Sequence, residues 1–371
     1  MDFDFSEDQE QLRDAVRKWV DKAYDFERRR AIVSGGGFDR AAYAELAELG
    51  LAGLYVSEAH GGLGMGPVEA MVVMEELGRG IVLEPLAQTL IASACLQTHA
   101  GDALQAQWLP RIAAGEALVV LAHQERGARY HLDRCQSTAQ AQGDGFVLQG
   151  RKSVVPVGDQ ADALIVPALL DGQLALFLVE RGAAGLRTEG YLTQDGSRAA
   201  EVHLDQAPAQ LITREGTRAL AEAVDVGIAS TCAEAVGVMD RTVSITAEYL
   251  NTRKQFGVPI ASFQALRHRL ADMKMQLELA RSMSYYGSLK LQAAGNDRRQ
   301  ALSRAKVQLG QSMRYVGQQA VQLHGGIGVT DEYIVSHYFK KLTQMEMSWG
   351  DTLHHLGEVS ARMQDTAGVF A

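Results

Sequence analysis

Asn251–Met273, NTRKQFGVPIASFQALRHRLADM, joins two long runs of helical periodicity through Gly257, Pro259 and Ser262. Glycine and proline end a helix, because one has no Cβ and the other has no backbone N–H. Ser262 is placed to cap the run that follows by accepting from a free amide. The chain must therefore fold here as helix, tight turn, helix. The corner carries Arg253, Lys254, Gln255 and Gln264. Unpaired N–H groups at the start of its second helix favour an anion or a polar ring edge. Arg253 equally suits a salt bridge inside a helical bundle, and the residues alone leave both readings open.

A second stretch, Gln322–Tyr333, reads QLHGGIGVTDEY and also follows a long helical run. Gly325, Gly326 and Gly328 let the backbone approach a neighbour closely. The pair RKQFG with Phe263-Gln264, and QLHGGIG with Glu332-Tyr333, resembles the flavin-binding motifs of the acyl-CoA dehydrogenase family. The resemblance runs in order over nearly the whole chain. It is nearest to the type that stands beside a larger dehydrogenase subunit, as in the small subunit of pimeloyl-CoA dehydrogenase-type heteromeric enzymes. MDFDFSEDQ at the start, YLTQDGSRAAEVHL in the middle and GDTLHH near the end carry that part of it.

The residue balance narrows the alternatives. The chain has 371 residues, 47% hydrophobic and 22% charged, which allows two or three domains. A net charge of −9 with no basic run argues against a nucleic-acid face. No apolar stretch reaches the length of a membrane span, and the acidic start lacks a signal-peptide pattern. Cys95, Cys135 and Cys232 are odd in number and far apart. A reducing cytoplasm, no disulfide framework and no metal site are expected.

Residues 1–115 read as an N-terminal α-helical domain. Ser6 and Gln9 form a capping box, and Leu12, Val16 and Val20 make one apolar stripe. Phe38–Leu49 is amphipathic and stops at Gly50. Gly61–Gly66, GGLGMG, reads as a connection, since no Lys-Ser/Thr follows it as a phosphate loop requires. Pro67 opens a helix at the first helical position, and Leu86–His99 and Ala103–Ala114 are further helical runs. Trp19 and Trp108 read as core, as do Met273, Met275 and Met283.

Residues 116–212 read as a small β domain, a barrel or sandwich. Alternating segments flank Gly143-Asp144-Gly145 and Asp171-Gly172, both hairpin signals, and Ala199–Leu204 is another strand. Residues 213–371 read as a four-helix bundle built from Leu220–Tyr249, Phe263–Ala294, Arg298–Leu323 and about Asp351–Gln364. The fold class is α+β multidomain, helical then β then helical, the order the resemblance also implies.

The resemblance implies FAD as cofactor, an acyl-CoA substrate and α,β-desaturation of the thioester. It implies an electron-transfer flavoprotein or similar acceptor. It places Arg253, Gln255, Phe256 and Gln264 on the FAD of a neighbouring subunit, with Gln322, Gly325 and Gly326 against its phosphates. Arginine suits that task because it stays charged and pairs with phosphate. A site shared between subunits implies a dimer of dimers, either a homotetramer or an α2β2 heterotetramer with a larger subunit. Asp225 matches a residue that contacts the acyl-CoA chain.

Several positions depart from the family. Its T-E-P-x-x-G-S-D loop falls on Gln124–Tyr130, QERGARY. Its aromatic-Ile-Thr segment over the flavin ring falls on Val154-Val155-Pro156. One place where the family carries its base holds Trp349 and the other holds Gly227. Asp351 is the nearest acid to the first and the candidate catalytic residue; it is equally placed to cap the last helix. His354 and His355 follow it. Two readings result: a FAD-dependent acyl-CoA dehydrogenase subunit, or a catalytically inactive structural subunit that completes a partner's FAD site. A flavin-free acyl-CoA-binding protein is a third.

Overall fold

A computed structural model describes residues 5–143 and 145–363. The opening Met1–Asp4, the hairpin residue Asp144 and Gln364 lie outside the described residues. The helices before the sheet are α1 (Glu7–Ala23), α2 (Phe26–Ser34), α3 (Arg40–Glu48), α4 (Pro67–Arg79), α5 (Leu86–His99) and α6 (Asp102–Ala113). The strands β1 (Val119–Leu121), β2 (Thr138–Gln142), β3 (Gly145–Pro156), β4 (Ala163–Leu170), β5 (Gln173–Glu180), β6 (Leu186–Leu192) and β7 (Arg198–Thr213) follow. Then come α7 (Gly216–Thr252), the two-residue strands β8 (Lys254–Gln255) and β9 (Val258–Pro259), α8 (Gln264–Lys290), α9 (Gly295–His324), α10 (Ile334–Met347) and α11 (Thr352–Ala361).

Two compact units form from these elements. One holds the described residues up to Arg28, Pro67–Val82 and everything from Ile228 onward. Its helices bury Val16, Met71, Val236, Met273, Leu277, Leu309, Met313 and Leu342. Arg17 clasps the buried Glu76 of α4 through two hydrogen bonds of 3.0 and 2.6 Å, and Arg79 joins Asp240 of α7 at 2.8 Å. These pairs tie α1 and α4 to the long helices.

The other unit comprises Arg29–Gly66 and Leu83–Gly227. Strands β2, β3, β7, β5 and β4 pair in a closed ring, with β1 added parallel to β4 and β6 antiparallel to β7. Ring closure removes the unpaired edges that an open sheet exposes. Leu148, Leu164, Val166, Phe177, Val179, Val202 and Leu204 fill its apolar interior with Tyr43 of α3.

Local chemistry accounts for many element ends. Ser6 and Gln9 form both bonds of the capping box. Asp171 and Gly172 both take positive φ between β4 and β5, the backbone a two-residue hairpin turn requires. Ser262 does not cap α8: its hydroxyl donates to Pro259 O at 2.7 Å, and α8 opens after Phe263 without a side-chain cap. The short 3-10 turn Ile260–Ser262 after β9 consumes the Ser262 hydroxyl locally, so it does not reach the first amides of α8. Met273 is buried but Met275 is exposed, because these residues two apart lie on different helix faces. Helices α2 and α10 and strand β6 are additional to the runs read from periodicity.

Candidate functional site

Two aromatic rings hold the helix-corner motif and the glycine motif together. Tyr249 lies one turn before Arg253 on α7, and its ring stacks on His324 at the end of α9 with centroids 4.4 Å apart. The Tyr249 hydroxyl donates to His324 O at 3.2 Å. The His324 Nδ1 faces Ala320 O at 2.8 Å, which assigns the proton to Nδ1, and burial keeps this histidine below its ordinary pKa. Periodicity does not reveal this pairing, since the residues are far apart in sequence.

The corner beyond Tyr249 is a miniature hairpin. Lys254 and Gln255 pair with Pro259 and Val258, while Phe256 and Gly257 both take positive φ. A bulky residue is rarely found there, and Phe256 is 91% exposed, its ring edge-on to that of Phe263 with centroids 6.1 Å apart. Arg253, Gln255, Gln264 and Gln322 are exposed, and their side chains meet no hydrogen-bond partner among the described residues. The intrabundle salt bridge open to Arg253 does not form.

The glycine motif divides by the same test. A Cβ on Gly328 would sit 2.8 Å from Val321 O, so packing within the chain demands glycine there. A Cβ on Gly325 or Gly326 would meet nothing within 4 Å. Gly325 needs its positive φ, but nothing in the fold of this chain restricts Gly326. A glycine unexplained by its own chain fits close approach by something outside it.

The loop that resembles the family's base-bearing loop is rigidly held. Trp349 takes φ +60° and Gly350 φ +111°. The His355 ring nitrogen Nε2 donates to Trp349 O at 3.1 Å, and its Nδ1 meets Ser303 Oγ at 3.2 Å. Burial, then the nearby Lys306 charge, push His355 down to about 3, so it is neutral. Lys306 is fully buried on α9 and donates to Met345 O, Glu346 O and Gly350 O at 3.1, 2.9 and 2.8 Å. Burial lowers its pKa to about 8. Thr352 donates to the Glu346 carboxylate through both N and Oγ1 at 3.1 and 2.6 Å. Asp351 caps α11, its Oδ1 accepting from His354 N at 2.8 Å. A lysine inside the apolar stripe Leu302, Ala305, Leu309 and Met313 was the sequence signal for this lock.

In the β unit, the QERGARY loop and β3 meet at a buried ion pair. Lys152 Nζ donates to Glu125 Oε1 at 2.6 Å, and the Glu125 carboxylate also accepts from Ser137 Oγ and Gln136 N at 2.7 Å each. Burial opposes ionisation of Glu125, but Lys152 and these hydrogen bonds outweigh it and hold the group at about 2. One turn of strand further, a bulge follows Lys152, and Val154 takes φ +53° and is 44% exposed. Pro156 pairs with Ala199 at the end of β3 and has no N–H to offer. Asp225 is buried on α7, and Gly227 supplies no side chain.

The resemblance seen in the motifs extends through comparison with known proteins. Residues 6–116 match the family description Acyl-CoA dehydrogenase, N-terminal domain, and residues 214–364 match Acyl-CoA dehydrogenase, C-terminal domain. Acyl-CoA dehydrogenase FadE27 of Mycobacterium tuberculosis is 27% identical over 99% of this chain and 100% of its own length. Among solved structures, a variant of the Tcur3481-Tcur3483 steroid ACAD is 30% identical with a TM-score of 0.89, covering 98% of this chain and 99% of that one. The ChsE4-ChsE5 complex from Mycobacterium tuberculosis is 27% identical with a TM-score of 0.91, covering 99% and 100%.

The helical, β and helical order together with these matches defines a flavoprotein oxidoreductase acting on CH–CH bonds. The chain belongs to the acyl-CoA dehydrogenase family, and FAD-dependent dehydrogenation of acyl-CoA is the activity that membership supports. FAD is the family's cofactor. The bundle motifs fit its phosphate-bearing half: an arginine fork, three amides without internal partners and an unobstructed Gly326. Val154 and Pro156 do not fit its ring in the family manner, since neither offers an aromatic face or a side-chain donor and Pro156 has no N–H.

Proposed function

We propose that this chain is one subunit of an oligomeric acyl-CoA dehydrogenase and that its bundle face completes a FAD site whose ring is held by another chain. The observation that carries this reading is the group Arg253, Gln255, Gln264 and Gln322, exposed together without hydrogen-bond partners among the described residues. Exposed polar side chains alone would be ordinary. Beside a glycine that this chain does not need, at the end fixed by Tyr249 and His324, they form a surface suited to a second molecule.

Bound FAD would supply the hydride acceptor for desaturation. The chain's own residues bind and orient. Arg253 pairs with phosphate oxygens. Gln255, Gln264 and Gln322 offer amide donors and acceptors, and Gly325 and Gly326 leave room for close approach. Phe256 offers an exposed apolar surface to the neighbouring subunit. The open amides at the start of α8 add positive partial charge.

The ChsE4-ChsE5 complex supports an assembly with a second subunit, and the pimeloyl-type resemblance suggests that the second subunit is the larger one. On this reading the assembly is α2β2, the acyl group is ring-derived, carboxylated or otherwise unusual, and Asp225 lines the acyl-CoA chain. A homotetramer is the other arrangement. Electrons pass to an electron-transfer flavoprotein or a similar acceptor. No helix among the described residues is long and apolar enough to cross a membrane, and we place the assembly in the cytoplasm.

A second reading gives this chain its own chemistry with Asp351 as base. Its carboxylate is already engaged as the α11 cap, and Trp349 accepts no proton. These observations favour the structural role. Arg253→Ala in the assembled oligomer tests the shared-site reading: flavin content falls with the fold intact. Full flavin retention overturns it.

A further inference from the structure

Lys306 is a fully buried amine that takes no part in the flavin-binding face. Its three bonds, to Met345 O, Glu346 O and Gly350 O, use every hydrogen that an ammonium has. We propose that these bonds make loop 348–351 a proton-gated latch: the Lys306 ammonium holds the loop closed, and loss of one of its protons opens the loop and frees Trp349.

The geometry requires the charged form. A neutral amine keeps two N–H donors and gains a lone pair, so one of the three carbonyls would lose its donor. Met345 O and Glu346 O lie in the last turn of α10, where helix amides run out and negative partial charge gathers. Gly350 O comes from the loop beyond it, so one cation ties the helix end to the loop. Among the described residues no carboxylate comes within ion-pair distance of Lys306, and its charge rests on these carbonyls. Burial brings its pKa down to about 8, within reach of a mildly alkaline change.

The groups that face Lys306 leave it as the one that changes. Burial pushes the Cys232 thiol on α7 up to about 12, so it stays neutral. Glu346 of α10 is engaged by Thr352 and Arg314, and Asp351 in the loop caps α11. His355 on α11 is held down to about 3 and is neutral. Helix α8 meets this turn of α9 at Gly287, beside Leu302 and Ala305. Trp349 takes φ +60°, a region that bulky residues rarely adopt and that persists where surrounding structure enforces it. Loss of the bond to Gly350 O removes part of that enforcement. The closed loop offers the ammonium three acceptors and the open loop does not. Closure therefore holds the proton, and by the same coupling loss of the proton favours opening.

The inference is independent of the flavin reading, because neither Arg253 nor the glycine motif takes part in it. The test is fluorine NMR of the full chain labelled with fluorotryptophan and titrated from neutral to alkaline pH. The chain has three tryptophans, and the spectrum of Trp349→Phe assigns the resonance of Trp349. The expected result is a Trp349 resonance that moves with its midpoint at about pH 8 while those of Trp19 and Trp108 hold still. The movement disappears in Lys306→Met and persists in His355→Gln. Circular dichroism confirms that each variant is folded; Lys306→Gln, which keeps two N–H donors but does not titrate, replaces Lys306→Met if that chain is not. A Trp349 resonance that holds still throughout, one that still moves in the folded lysine variant, or three resonances that move together overturns the proposal. Movement lost in His355→Gln and kept in the lysine variant also overturns it, by assigning the titration to the histidine.

Discussion

Tyr249 and His324 stack at 4.4 Å with their rings inclined by 29°, and this contact places the ends of α7 and α9 side by side. Each residue adjoins one of the two motifs. Tyr249→Ala removes the stack, which contributes about 1 kcal/mol beyond area burial, and frees the motifs to separate. Chemical denaturation of the chain will show the loss of stability. Flavin content of the assembly will fall further than stability alone accounts for. Tyr249→Phe keeps the ring, loses the bond to His324 O, and costs about 1 kcal/mol.

Gly326 and Gly328 separate assembly from folding. Gly328→Ala drives a Cβ to within 2.8 Å of Val321 O and lowers the unfolding free energy of the isolated chain. Gly326→Ala meets open space and leaves that energy within about 0.5 kcal/mol. On the proposed reading it reduces flavin in the assembled oligomer. Denaturation midpoints and flavin absorbance, measured on the same preparations, distinguish the two.

Much of the fold follows from local signals. The Ser6 capping box, the Leu86–His99 helix and the turn at Asp171-Gly172 need only a few neighbouring residues, and each forms as expected. Periodicity does not mark α10, because its helix follows the glycine motif directly and its buried lysine and glutamate interrupt the apolar pattern. Ser262 misleads because a competing local acceptor, Pro259 O, takes its hydroxyl. The Tyr249–His324 stack, the Lys306 lock and the Lys152–Glu125 ion pair join residues 75, 39 and 27 positions apart, which no short-range pattern encodes.

Asp351 gives a clean separation of charge from capping. Asparagine caps a helix about as well as aspartate but is no base. Asp351→Asn will leave both stability and turnover of the assembly unchanged, whereas Asp351→Ala will cost about 1 kcal/mol through loss of the cap. Steady-state acyl-CoA oxidation and thermal unfolding are the readouts. Abolished turnover in Asp351→Asn with normal flavin content would instead make Asp351 the base.

Lys306 and His355 predict opposite ends of the pH profile. Folding lowers the pKa of Lys306 from 10.5 to about 8, so between those values the unfolded chain binds more protons and stability rises with pH. Folding lowers His355 from 6.5 to about 3, so stability falls as pH drops through that window. His355→Gln will flatten the acid limb of stability against pH. Lys306→Met strips donors from three buried carbonyls and will cost about 3 kcal/mol or more by urea unfolding.

The shared FAD site is tested most directly by the visible absorbance of the purified chain, with flavin counted after denaturation. The account predicts a colourless chain when it is produced alone, and a yellow assembly when it is co-expressed with a larger acyl-CoA dehydrogenase subunit. About one FAD per chain from the chain alone would contradict it, and would show that Val154 and Pro156 hold a flavin ring after all.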